Sequence, residues 1–325
     1  MRAFFILAVV AILAVAGWLA WALLLPVTPA AQTLVLLHSG YSTRRIASEL
    51  KNAGVIRSRD AFILLNYLNH RRSLKAGEYL FERPATAMQV QERLMQGDVY
   101  VRTVVIPEGF NMFDIAQAVE SAGLGSAEDF LKVAASGSLI SDIAPDATSL
   151  EGYLFPNTYG FTRTQSMQEI AGAMVRQFRQ TAGELGLTTD VQRTVVLASI
   201  VEKESAVAEE RPAVASVYDN RLKRNMPLQA DPTVIYAERL QGAYSGALHH
   251  NDMQFASAYN TYTHAGLPPG PICNPGQSAL AAAMHPATTD YLYFVSDGNG
   301  HHRFSKDLEE HNRNVAAYRK VMSGR

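Results

Sequence analysis

From Ala3 to Leu25 the chain has no charged side chain and almost nothing polar. A run of that length can cross a hydrocarbon core as one helix, whereas the apolar part of a signal peptide is usually about 7–15 residues. Thr28-Pro29-Ala30 is a poor match to a cleavage site. Residues 1–26 therefore read as an uncleaved membrane anchor, with Arg2 and the α-amino group on the cytoplasmic side. No second span of this kind follows, so some 300 residues are expected outside the cytoplasm, in the periplasm of a Gram-negative cell.

The rest of the chain has the make-up of a globular protein, with 48% hydrophobic and 18% charged residues overall. A formal net charge of -1 leaves no basic excess to neutralise phosphates, so no nucleic-acid partner is expected. The lone Cys273 excludes an intrachain disulfide. The expected fold class is α+β: an N-terminal transmembrane helix, a small βααβ module over residues 27–105, and a mixed α+β domain over 106–325 built around one central helix. Val27 to Gln32 reads as a short Pro/Ala linker.

The central helix is Thr194 to Arg211, a run rich in Ala, Glu and apolar residues, without Gly or Pro until Pro212 stops it. On a helical wheel Leu197, Ile200, Val201, Val207 and Ala208 all fall within about 60° of Glu204. Glu202 falls on the opposite side, near Val195 and Glu209. Of two acids two residues apart, only Glu204 occupies the middle of an apolar stripe. Desolvation raises the pKa of a carboxyl, and one still protonated near neutrality can act as a general acid.

An internal repeat organises the residues before it. Gly40, Ile46, Ala47, Ala53 and Gly54 match Gly109, Ile115, Ala116, Ala122 and Gly123, and a one-residue deletion then aligns Ser58 and Phe62 with Ser126 and Phe130. Each copy follows an apolar run and reads as strand, Gly turn, amphipathic helix, Ala-Gly turn and Ser-capped second helix. Ala76 to Phe81 reads as the returning strand of the first copy. Beyond the repeats, Ser149 to Phe161 spaces Tyr153, Phe155, Tyr159 and Phe161 two apart, either an edge strand on the core or an aromatic wall for sugar rings. Thr164 to Leu185 and Ala213 to Arg224 read as helices. Ala265 to Gly276 holds four prolines and three glycines and reads as a rigid loop able to position a site. Tyr291 to Val295, the turn Asp297 to Gly300 and Phe304 form a hairpin, and a last helix starts near Leu308.

His249, His250, His285, His301, His302 and His311 show neither helical His spacing nor paired Cys, so no metal site is expected. No nucleophile elbow and no Gly-rich phosphate loop is present. What remains is one acid on an apolar helix face and loops rich in Tyr, Asn, Gln and Thr, suited to a neutral polyol polymer.

Several stretches together resemble the endolytic murein lytic transglycosylases, the YceG-like family: LASIVEKES (Leu197 to Ser205), NRL (Asn220 to Leu222), LQADPTVIY (Leu228 to Tyr236), YNTY (Tyr259 to Tyr262), GLPPGPI-NPG (Gly266 to Gly276), AAAMHPA (Ala281 to Ala287), YLYFVSDGNGHHRFS (Tyr291 to Ser305) and EGYLFPNTY (Glu151 to Tyr159). The resemblance implies a single-span inner-membrane protein with a LysM-like module ahead of its catalytic domain. It implies cleavage of the MurNAc-β-1,4-GlcNAc bond within nascent peptidoglycan strands, leaving 1,6-anhydro-MurNAc ends and terminating elongation. It makes Glu204 the catalytic acid, with no cofactor, and peptidoglycan synthases (penicillin-binding proteins) the expected partners. Candidates for contacting glycan are Ser205, Glu151, Tyr153, Gln229, Asp231, Tyr259, Asn260 and Tyr262. Two other readings stay open: a membrane-anchored glycan-binding scaffold, and a hydrolytic muramidase using Glu151 or Asp231 as a second carboxylate.

Overall fold

The computed structural model describes residues 1–70 and 72–323. Contacts divide the chain into two compact units, Met1–Thr103 with Gly160–Gln165, and Val104–Tyr159 with Ser166–Arg325.

The first unit opens with α1 (Arg2–Leu24), which is long and apolar enough to cross a membrane and exposed along almost all of its length. Then come β1 (Thr33–Leu37), α2 (Thr43–Asn52), α3 (Arg59–Leu68), β2 (Gly77–Phe81) and α4 (Ala87–Gln96). β1 and β2 pair antiparallel with Val35 opposite Tyr79. Their inner faces pack with Ile46, Leu50, Phe62, Val90 and Leu94 into one core. Ser42 and Ser58 cap α2 and α3 by accepting backbone N–H bonds. The expected module lacked α4, so the observed order is βααβα. The signal for α4 is a Thr86–Gln89 capping box, closed at the other end by Gly97 at φ +75°. The expected linker is bound in place: Val27 bridges Ala85 through bonds of 2.9 and 3.1 Å, and Arg57 donates to the Pro26 carbonyl at 2.9 Å.

β3 (Arg102–Ile106) pairs with β4 (Asn157–Phe161), and the division between units falls within both strands. The second unit continues with α5 (Met112–Ser121), α6 (Ala127–Ala134), α7 (Met167–Leu185), α8 (Val191–Glu204), α9 (Arg211–Lys223), α10 (Asp231–Leu240), α11 (Gln277–Met284), β5 (Tyr293–Ser296), β6 (His302–Ser305) and α12 (Leu308–Ser323). α5 and α6 are the second copy of the repeat. The matched turn glycines share a left-handed backbone, φ +82° at Gly40 and +77° at Gly109, +69° at Gly54 and +70° at Gly123. Glycine adopts that conformation at the least steric cost, which accounts for its place at all four turns.

α8 is the centre of the second unit, with α9, α10 and α11 packed on it. It is shorter than the expected helix. It ends at Glu204, and Ser205 turns extended at φ -126° and ψ 117°. Pro212 occupies the first turn of α9, where its missing N–H costs nothing, so it starts a helix and does not end one.

Candidate active site

α8 is buried from Val195 to Val201 without interruption, on both sides of the wheel. The expectation that Glu202 faces away from the apolar environment therefore fails, because the opposite face is interior as well. The Glu202 side chain is 5% exposed, paired with Arg211 at 2.7 Å, and accepts the Gly276 N–H at 3.0 Å. Burial raises its pKa, against the pull of that amide and of Arg211. What separates the two acids is their partners, not their faces.

Among the described residues no cation pairs with Glu204 at ion-pair distance. At the last position of α8 Glu204 projects into a cavity of about 350 Å³ shared with Tyr218, Arg221, Gln229, Asp231 and Tyr262. Tyr218 Oη donates to Glu204 Oε1 at 2.8 Å. Burial pushes the Glu204 carboxyl up to about 7; the Tyr218 bond opposes this, the Asp231 charge adds to it, and the Arg221 charge opposes it. The C-terminal end of α8, the negative end of its dipole, also disfavours a carboxylate there. With Oε1 accepting from the phenol, the acid's own proton belongs on Oε2. A carboxyl balanced near neutrality can both give and take a proton.

The walls are held by backbone. Arg221 Nε donates to the Leu292 carbonyl at 2.7 Å and Nη1 to that of Leu228 at 2.6 Å, with its guanidinium 5.2 Å from the centre of the Tyr293 ring. Gln229 takes φ +50° and its N–H bonds to the Thr261 carbonyl at 3.1 Å, tying the loop before α10 to the YNTY segment. Tyr262 Oη donates to Asp231 at 2.5 Å. The Pro/Gly loop is latched beneath α8: Ser199 Oγ accepts the Ile272 N–H at 3.0 Å, and Cys273 Sγ donates to the Ser199 carbonyl at 3.3 Å. A larger cavity in the first unit, about 730 Å³, is lined by surface charges such as Arg93 and Asp98, already paired at 2.8 Å. The desolvated Glu204 carboxyl lines the smaller one.

The model of the YceG-like family matches residues 35–317. The chain belongs to this family. It is 34% identical over 319 residues to an endolytic murein transglycosylase of Bacillus subtilis, covering 91% of this chain and 88% of the relative. It is 29% identical to an endolytic murein transglycosylase of Streptococcus pneumoniae, covering 87% of this chain and 57% of that longer protein. The crystal structure of a YceG-like protein from Listeria monocytogenes superposes with a TM-score of 0.56 at 32% identity, covering 87% of this chain and 98% of that one.

In this YceG-like chain, Glu204, Gln229, Asp231 and Tyr262 share the cavity. Other candidates lie elsewhere. Ser205 is fully buried, its Oγ donating to the Val207 carbonyl at 3.0 Å and accepting the Val207 N–H at 3.3 Å. Asn260 is fully buried and donates to the Met253 and Phe255 carbonyls at 3.1 and 2.8 Å. Tyr259 packs on Tyr236 at 5.1 Å and closes over Gly270, where a Cβ would come within 2.7 Å of its hydroxyl. Tyr153 is buried edge-on to Phe178 and donates to Gln192. Glu151 is 1% exposed and accepts from Met112 N–H, Tyr236 Oη and Asn274 Nδ2 within 3.1 Å, fastening three segments; burial pushes it up to about 7. The sequence reading missed Tyr218, Arg221, Tyr293 and His311 as cavity residues. Tyr218 and Arg221 are three apart on α9 and so share a face, a signal available once that helix was read.

Proposed function

We propose that this chain is a membrane-anchored endolytic lytic transglycosylase that cuts the MurNAc-β-1,4-GlcNAc bond within nascent peptidoglycan strands and leaves 1,6-anhydro-MurNAc ends. The carrying observation is Glu204, a carboxyl raised to about 7 that opens on a cavity and is held by a phenol instead of a cation. Its relatives' names, as endolytic murein transglycosylases, give the reaction class.

In the reaction, neutral Glu204 gives the Oε2 proton to the leaving glycosidic oxygen. The bond from C1 to that oxygen breaks, and charge at C1 is shared by the sugar's own 2-acetamido oxygen. The carboxylate then takes the proton of the C6 hydroxyl as that oxygen bonds to C1. The acid returns to its starting state and no water is consumed. The Tyr218 donor stabilises the carboxylate while it lasts. One carboxyl suffices for this sequence, unlike a two-carboxylate glycosidase. Asp231 faces the same cavity, which supports keeping hydrolysis as a second reading; Glu151, buried in its own hydrogen-bond set, does not support it.

The apolar α1 supports a single-span anchor in the inner membrane with the N-terminus cytoplasmic and the catalytic domain periplasmic. On this reading the first unit is the LysM-like module, and synthases of the penicillin-binding class are the partners whose new strands are cut. Full-length protein in detergent is incubated with purified sacculi and the products are weighed. Anhydro ends, about 18 Da lighter than hydrolytic ones, are expected, together with their loss in Glu204→Gln. Incorporation of ¹⁸O from labelled water at the new ends would establish hydrolysis instead.

A further inference from the structure

Arg221 is 8% exposed, yet among the described residues no carboxylate lies within ion-pairing distance of it. The other buried arginine among the described residues, Arg211 at 5% exposed, pairs with Glu202 at 2.7 Å and Glu108 at 3.4 Å. Burying an uncompensated charge costs several kcal/mol, and proteins avoid it by pairing. Two arms of the Arg221 guanidinium are spent on the Leu292 and Leu228 carbonyls. Its Nη2 bonds to no described residue and is not sealed by packing, and the residue lines the Glu204 cavity. A desolvated cation with one free donor arm in a cleft is a site built for an acceptor.

A second group faces the same space. His311, on α12, stacks on Tyr293 at 5.1 Å with the rings 24° apart, and Tyr293 carries Arg221 on its ring. His311 Nδ1 is buried with no hydrogen-bond partner, so the edge by which the imidazole reaches the cavity is the one bearing Nε2. Burial and the Arg221 charge both lower its pKa, so the ring stays neutral and can offer an Nε2–H. The competing charge on this cavity, Asp231, is held by Tyr262 Oη at 2.5 Å.

We infer that Arg221 and His311 together anchor a carboxylate of the glycan substrate beside Glu204. The inference rests on the murein reading of the site. That polymer offers carboxylates from two sources, the lactyl group of a bare MurNAc residue and the stem peptide of a substituted one. A carboxylate docked on Arg221 Nη2 supplies the missing counter-charge and fixes the sugar's register against Oε2 of Glu204 without taking part in bond breaking.

The test uses full-length protein in detergent and four strand preparations: bare glycan, peptide-bearing glycan, and each after its carboxylates have been converted to amides with carbodiimide and ammonia. Wild type should cleave amidated strands with KM raised about tenfold and kcat within about twofold. A rise confined to bare strands assigns the lactyl group, and one confined to peptide-bearing strands assigns the stem. Arg221→Lys keeps a charge but loses the fork, and His311→Gln keeps a donor. Each should shrink the gap between native and amidated strands, an effect that loss of folding stability alone does not produce. Equal KM for native and amidated strands in wild type overturns the carboxylate anchor and leaves a neutral carbonyl as the group bound, and it does so even if neither variant folds. Failure to cleave any preparation overturns the transglycosylase reading itself.

Discussion

At Glu204 the folded chain holds a proton that the unfolded chain releases well below neutral pH. The folded carboxyl titrates at about 7, against 4.5 for the free group. Between those values the native state binds more protons, so stability falls as pH rises through that window, and the loss is complete above 7. Glu151 acts in the same direction. Glu204→Gln removes the penalty at its own site. It should unfold in urea at pH 8 with roughly 1–3 kcal/mol more stability than wild type, and show no gain at pH 4. A less stable variant at pH 8 would mean that the carboxyl is not desolvated. Activity should follow the same group, with kcat/KM falling above about pH 7 as the acid is lost. Glu202 gives a contrasting result. Glu202→Gln removes the closer of two carboxylate partners of the buried Arg211, leaving Glu108 at 3.4 Å, and should cost about 1–3 kcal/mol. It should therefore lose activity by melting early, whereas Glu204→Gln loses it while folded; thermal unfolding monitored by circular dichroism separates the two.

Secondary structure was legible where local chemistry alone decides it. The repeat was readable because Gly40, Gly54, Gly109 and Gly123 occupy backbone that other residues strain to adopt. Capping serines and the hairpin around Asp297 to Gly300 were readable for similar reasons. The end of α8 was not. Residues 205–211 carry no Gly or Pro to mark a stop, and what accompanies the end of the helix is Arg211 held by distant segments, on Ser278 and on Glu108 at 3.4 Å, while Ser205 Oγ donates to the Val207 carbonyl at 3.0 Å. The family resemblance suggested ligand contacts for Ser205 and Asn260, and a polar side chain reads the same in sequence whether its partner is a sugar or a carbonyl of its own loop. The Pro/Gly loop offers a test at this scale. Ser199 Oγ donates to the Val196 carbonyl at 2.7 Å and accepts the Ile272 N–H at 3.0 Å. Ser199→Ala leaves that buried N–H unpaired and should cost about 1–3 kcal/mol in urea unfolding. Hydrogen exchange at Ile272 should quicken by more than it does along α7, and equal quickening would deny the latch.

Across the whole chain, the cavity gathers Glu204, Tyr218 and Arg221 with Asp231, Tyr293 and His311, residues spread over more than a hundred positions. No periodicity brings such distant segments together; the family resemblance alone set Gln229, Asp231 and Tyr262 beside Glu204, and nothing in the sequence pointed to Tyr293 or His311. The N-terminus is the opposite case, since its composition alone speaks. What the fold adds is that α1 runs directly into the first unit: Ala22 is buried, Leu23 packs on that unit's core, and Arg57 lies 5.2 Å from the Trp21 ring while holding the Pro26 carbonyl. Trp21 near the end of an apolar helix suits the bilayer surface, where indole rings concentrate. A segment cleaved after Ala30 would take with it Val27, which pairs with Ala85, and the Pro26 carbonyl that Arg57 holds. The anchor should therefore persist, and the mature protein should keep Met1-proximal sequence detectable by mass spectrometry of purified membranes. In spheroplasts of a Gram-negative host, protease added outside should digest the domain that carries Glu204 and spare a tag placed before Arg2. A domain that stays protected until the membrane is lysed would put Glu204 on the side of the membrane where no glycan is polymerised, and the proposed role would fall with the topology.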